Sequence, residues 1–215
     1  QRGSVSGNGA GINAAGALTL TNVNVLSNSI TSGSGGGIYA AGALNLANVN
    51  VQGNTNGGGN GGGIYAIGTV NLTNATVQNN TAINGNGGGM SVNLANATIY
   101  GAQFLNNFAA LGAGAYITGG NGTFSNTQFI ANRSTGNGGG LFLGSGNAQG
   151  VNLLFARNSA SLGAALYVTN TGSASNLAYL TVVSPTVGTA PAVYFGGPGT
   201  LTLQDSIVAS YTTSI

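Results

Sequence analysis

Gly35-Gly36-Gly37-Ile38-Tyr39-Ala40 returns, 26 residues later, as Gly61-Gly62-Gly63-Ile64-Tyr65-Ala66. The phrase appears again as Gly87-Gly88-Gly89-Met90-Ser91-Val92 and as Gly138-Gly139-Gly140-Leu141-Phe142-Leu143. Weaker copies are Gly9-Ala10-Gly11-Ile12, Gly112-Ala113-Gly114-Ala115-Tyr116, Gly163-Ala164-Ala165-Leu166-Tyr167 and Ala192-Val193-Tyr194. Eight copies thus run the length of the chain. Self-similarity at a fixed period of this size marks a stacked-repeat architecture.

Within a copy the apolar residues alternate. Ile38 and Ala40 make one short piece, Leu44 and Leu46 a second, and Val49 and Val51 a third. Tyr39, Asn45 and Asn50 fall between them and face the other way, because neighbouring strand residues point to opposite sides. Asn48 and the glycine-rich stretch from Gly53 to Gly63 supply turn chemistry. Helices are disfavoured by the density of Gly, Asn, Thr and Val. An antiparallel sandwich would not require the same residue at the same phase in each copy. One coil buries too little apolar surface to offset the ordering of its own backbone, so coils must stack. The expected fold is all-β: a single domain over 1–215, a β-solenoid of about eight coils of ~26 residues with three short strands per coil. Its rungs, spaced ~4.8 Å apart, would make a rod about 40 Å long.

Charge is nearly absent. Arg2, Arg133, Arg157 and Asp205 are the only charged side chains, 2% of the chain against roughly a quarter in ordinary soluble domains. Three scattered arginines form no patch that could hold nucleic acid. Without cysteine there is neither a disulfide nor a thiolate metal site. No apolar run reaches the ~18 residues of a membrane-spanning helix. The chain begins at Gln1 with no initiator Met or signal peptide, which points to a processed protein or a fragment.

Aligning the copies produces columns. One asparagine column follows the second strand: Asn22, Asn48, Asn74, Gly101, Asn126, Asn152, Asn176 and Asp205. Another follows the third strand: Asn28, Asn54, Asn80, Asn107, Asn132 and Asn158. Asn accepts left-handed backbone and caps turns, and its amide can bond to the rung above and below. Both columns are expected to be structural. The outward position of the first strand forms an aromatic column, Tyr39, Tyr65, Tyr116, Phe142, Tyr167 and Tyr194, broken at Ser91 and missing at Asn13. Stacked rings stabilise adjacent strands, and an exposed aromatic stripe is the candidate contact face for a neighbouring chain or a glycan.

The pairing of Gly-Gly-X-aliphatic or aromatic phrases with Phe-x-x-Asn resembles the repeat of polymorphic outer-membrane proteins and related autotransporter passengers. The second motif stands here as Phe104-Leu105-Asn106-Asn107, Phe129-Ile130-Ala131-Asn132 and Phe155-Ala156-Arg157-Asn158, with Val25, Val51 and Val77 replacing Phe earlier. The resemblance spans nearly the whole chain. It implies a right-handed parallel β-helix, secreted or displayed on the cell surface, with an adhesive or structural role and no catalysis.

The missing chemistry agrees with that expectation. Glycoside hydrolysis usually takes two carboxylates, and Asp205 is the only one. A lone Asp cannot hold the calcium that lyases of this architecture use. With no His, Cys, Lys or Glu, general-base and nucleophile candidates reduce to Asp205, Tyr and unactivated hydroxyls. Hence no catalytic residue, cofactor or metal is expected. An ice-binding face would need regular Thr pairs such as Thr19 and Thr21, but Asn45 and Asn71 interrupt that column. Six Asn-x-Ser/Thr sequons begin at Asn71, Asn74, Asn79, Asn96, Asn121 and Asn132. The expected function is a structural subunit stacking head to tail on copies of itself into an extracellular fibre. The alternative is an adhesin passenger segment that contacts host surface or glycan through the aromatic column.

Overall fold

A computed structural model describes residues 4–169, 172, 174–183 and 190–209. Arg2 lies outside the described residues. The chain is a parallel β-solenoid: each described pairing is parallel, and each strand meets its counterpart about one repeat away. The first sheet has eight strands in sequence order, from Ile12–Ala14 to Val193–Gly196. Eight rungs there enclose seven complete turns. No helix among the described residues is long and apolar enough to cross a membrane.

The second sheet has 13 strands and two arms. In the early coils the arms are separate strands, as in Leu44–Ala47 and Asn50–Gln52. In the fifth to seventh coils they fuse into Gly122–Ile130, Ala148–Ala156 and Ala174–Val183. The second and third alternating pieces of the sequence are therefore two arms of one sheet. A single left-handed residue bends the chain between them: Asn22, Asn48, Asn74, Gly101, Asn126, Asn152, Tyr179 and Asp205 all have φ between 48° and 64°. One such residue turns the strand direction without breaking the inter-coil ladder.

Asn176 does not belong in that column. It pairs with Gln149 and Thr202 inside the arm, and Tyr179 takes the bend. The seventh coil sets Tyr179 27 residues after Asn152, so counting by asparagine identity stops at the wrong residue. The third sheet lies where the sequence shows only a glycine-rich turn. It consists of six two-residue strands, among them Thr55–Asn56 and Thr81–Ala82. Asn56 is fully buried there. Its Oδ1 accepts from Gly58 N at 3.1 Å and Gly59 N at 2.9 Å, while its Nδ2 donates to Asn60 O at 2.9 Å.

The glycine triplets divide their labour. The first glycine is kept in seven copies, and Gly9, Gly35, Gly61, Gly87, Gly112, Gly138 and Gly163 all have φ between 57° and 75°. A side chain there would be strained whatever the room. At Gly62, the second position, a Cβ would stand 2.5 Å from Gly88 O of the next rung. Ala113 and Ala164 occupy the second position in the weaker copies, so spacing at that site adjusts where the left-handed turn does not.

The main core is a continuous apolar column, with a small separate cluster of Ala82, Ala109 and Ala113. Ile38, Leu44, Ile64, Val77, Phe104, Phe129 and Phe155 are among the fully buried members of the main core. Phe104, Phe129 and Phe155 stack at 4.9 and 4.8 Å with their planes 7° and 6° apart. They occupy the same register as Val25, Val51 and Val77, so the Phe-x-x-Asn motif pairs an inward ring with a buried amide.

Candidate functional site

Two surfaces and one interior column hold the residues singled out by the repeat. The interior column is the second asparagine series. Asn28, Asn54, Asn80, Asn107, Asn132 and Asn158 are buried, between 0% and 6% exposed. Each amide nitrogen donates to the Oδ1 of the next rung, at 2.9 Å from Asn28 and 3.0–3.1 Å from Asn54, Asn80, Asn107 and Asn132. The backbone N–H of the same residue donates to the same oxygen at 2.9–3.0 Å. The second amide hydrogen goes to a main-chain carbonyl, as from Asn80 Nδ2 to Val51 O at 2.9 Å. Asn54, Asn80, Asn107 and Asn132 thus spend both donors, and the oxygen of each takes two. These asparagines have no left-handed backbone. That role falls to the residue before them: Ser27, Gly53, Asn79, Asn106, Ala131 and Arg157.

The bend column lies outside and bonds more sparsely. Asn48 Nδ2 donates to Asn22 Oδ1 at 3.1 Å, and Asn152 Nδ2 donates to Asn126 Oδ1. In both, the later rung gives the hydrogen to the earlier one. Of the sequons, Asn132 is fully buried in the ladder and closed to modification, whereas the other five asparagines are exposed.

The aromatic column is a half-buried stack. Tyr39 and Tyr65 lie 5.7 Å apart. Tyr116, Phe142, Tyr167 and Tyr194 form a run of four rings spaced 4.7–4.8 Å. Ser91, itself buried, separates the two runs. Phe142 is only 9% exposed, so the middle of the longer run presents little ring area to a partner. Burial pushes the Tyr116 phenol above its ordinary value, and a hydrogen bond from the Asn86 side chain opposes this more weakly. A phenol raised on folding contributes stability in full below its unfolded value of about 10 and loses it as pH climbs through the folded value. Comparing thermal midpoints at pH 9 and 11 is expected to show a larger fall for the wild type than for Tyr116→Phe. Equal falls would remove the burial account.

The third surface consists of the two open edges, which repeat analysis did not single out. Among the described residues, Leu18–Thr21 and Asn24–Leu26 pair on one side only, and so do Thr200–Gln204 and Ile207–Ala209. Leu18, Leu20, Leu201 and Leu203 are only partly buried, while their interior equivalents Leu44 and Leu46 are 0% and 2% exposed.

A shallow groove of about 450 Å³ lies on the outer face of the first arm over the last four rungs. Along the second arm, one outward column changes from Gln52 and Gln78 to Leu105, Ile130, Ala156 and Val183.

These features define the class of molecule: a parallel β-solenoid built on a buried asparagine ladder. Compared with family models, curated proteins and solved structures, the chain matches none. The likeness to surface-passenger repeats therefore rests on its repeat motifs alone.

Proposed function

We propose that this chain is a non-enzymatic structural protein that stacks end to end on its own copies to form an extracellular fibre. The observation that carries the reading is the match between its two open edges. When the bend residues Asp205 and Asn22 are placed in one column, Leu203 meets Leu20, Leu201 meets Leu18 and Val208 meets Val25. Thr202 meets Thr19 on the outside. The same alternation that joins neighbouring coils thus continues across the junction.

The bend column adds polarity to this match. Since the later rung donates to the earlier one, Asn22 of an added copy supplies an amide hydrogen at the junction. Asp205, an acceptor only, stands at the position that receives it, and charge assistance strengthens such a bond. A contact between unlike ends does not close on itself and grows into a filament. Among the described residues, Asp205 is the only charged side chain on either edge. The extracellular setting rests on the likeness to surface passengers.

Electron microscopy of the purified protein tests the reading. Unbranched fibres one solenoid wide, with an axial repeat of about 40 Å, are expected. Short rods of uniform length at all concentrations would overturn it in favour of a monomeric passenger segment.

A further inference from the structure

We propose that the groove on the outer face of the first arm, over the last four rungs, binds a neutral polysaccharide chain. Its lining comes from outward positions of neighbouring strands: Thr123, Ser125, Gln149, Asn176, Thr202 and Gln204. Register stacks Thr123, Gln149, Asn176 and Thr202 in one column, and Ala178 and Gln204 in the column beside it.

The outward side chains of this patch keep unspent hydrogen-bonding capacity beside a concave surface. Earlier on the same sheet the outward amides bond to one another. Asn71 Nδ2 donates to Asn45 Oδ1 at 2.9 Å, and Gln78 Nε2 donates to Gln52 Oε1 at 3.2 Å. In the groove, the side chains of Thr123, Ser125, Thr202 and Gln204 have no hydrogen-bond partner among the described residues. Gln149 gives its amide hydrogen to Ala174 O at 3.0 Å, and its Oε1 meets Asn176 Nδ2 at 3.4 Å, a weak contact that leaves the Asn176 amide largely available.

The lining contains hydroxyls, amides and short apolar faces but no charge, which excludes a ligand whose binding depends on ion pairing. A ligand rich in hydroxyls, uncharged and extended along the rung direction satisfies such a surface; a neutral polysaccharide has all three properties. The adjoining bend supplies an aromatic ring. Each other bend residue is Asn, Asp or Gly, yet Tyr179 holds φ 53° and is 58% exposed beside Ala178 of the lining. A bulky residue in left-handed backbone is strained, and strain of this kind gathers at binding sites. The groove lies on the side of the rod, so it stays open whether or not the ends stack.

Isothermal titration calorimetry on the full chain tests this with cellohexaose, maltohexaose, laminarihexaose and N-acetylated chitohexaose, and with polygalacturonate as the charged comparison. At least one neutral oligosaccharide is expected to bind. The double variant Thr123→Ala, Gln149→Ala should weaken it tenfold or more, with its circular dichroism and fibre length unchanged. Asn45→Ala on the same sheet should bind as the wild type does. The proposal is overturned if none of the four binds, if the double variant binds equally well, or if polygalacturonate binds as tightly. Loss of fibres with binding retained would strike only the end-to-end reading.

Discussion

Asn80→Asp is expected to destabilise the rod at pH 7 and to recover part of the loss in acid, whereas the loss in Asn80→Ala does not change with pH. Asn80 Oδ1 accepts from Asn54 N at 2.9 Å and Asn54 Nδ2 at 3.0 Å, and a carboxylate oxygen could do the same. The other side of the amide decides the outcome. Nδ2 donates to Val51 O at 2.9 Å and Asn107 Oδ1 at 3.1 Å, so an ionised carboxylate would turn an oxygen toward two acceptors. Asn80 is fully buried, and its hydrogen-bond partners are all neutral. Alanine leaves buried donors and a carbonyl without partners, at about 1–3 kcal/mol for each. An uncompensated buried charge costs about 3–5 kcal/mol or takes up a proton instead.

Burial raises the folded-state value of such a carboxyl above its unfolded value of about 3.9, so the acid form favours folding. Stability is therefore highest below that value and falls as pH rises. Urea denaturation followed by circular dichroism at pH 3.5 and pH 7 measures both variants. Because coils touch only their neighbours, the transition should also broaden as the rod divides near the third rung. Wild-type stability for Asn80→Asp at pH 7 would rule out a saturated ladder.

The columns are legible in the sequence wherever one residue type recurs at one phase. The ladder from Asn28 to Asn158 and the rings from Tyr39 to Tyr194 stand where period counting puts them. Asn176 marks the limit of this method. A coil can gain a residue and move the bend to Tyr179 while its asparagine stays behind. The third sheet leaves no trace, because strands as short as Thr55–Asn56 carry no period-two apolar signal. The triplets are legible as punctuation only. That their first glycine turns left-handed while the second yields to Ala113 and Ala164 is a fact of backbone geometry. The groove is harder still to anticipate, since it depends on which outward side chains satisfy one another. Asn45 and Asn71 do so through their amides, and Thr123 and Thr202 do not. The aromatic column is legible as a column but not as a buried one, because the 9% exposure of Phe142 comes from packing.

A small fraction of Leu201→Asp, Leu203→Asp double variant, mixed into wild-type protein, is expected to shorten fibres far beyond its proportion. The substitutions place carboxylates on the trailing edge, where the leading edge of the next copy offers Leu18 and Leu20. Burying them unpaired costs several kcal/mol each. The leading edge of the variant is untouched, so it still joins the trailing end of a growing fibre. Once there it presents the charged edge and stops addition. At about one variant in ten molecules, such termination limits the mean length to about ten subunits. Leu18→Lys, Leu20→Lys blocks the opposite edge and should cap the other end. Neither variant should form fibres alone, and both should remain folded, since these side chains lie on terminal rungs already partly exposed. Length distributions from electron micrographs read the result directly. Fibres that keep wild-type lengths in either mixture would show that growth does not run through these edges. A side-by-side assembly would instead tolerate both variants, because its contacts lie on outward positions that neither substitution touches.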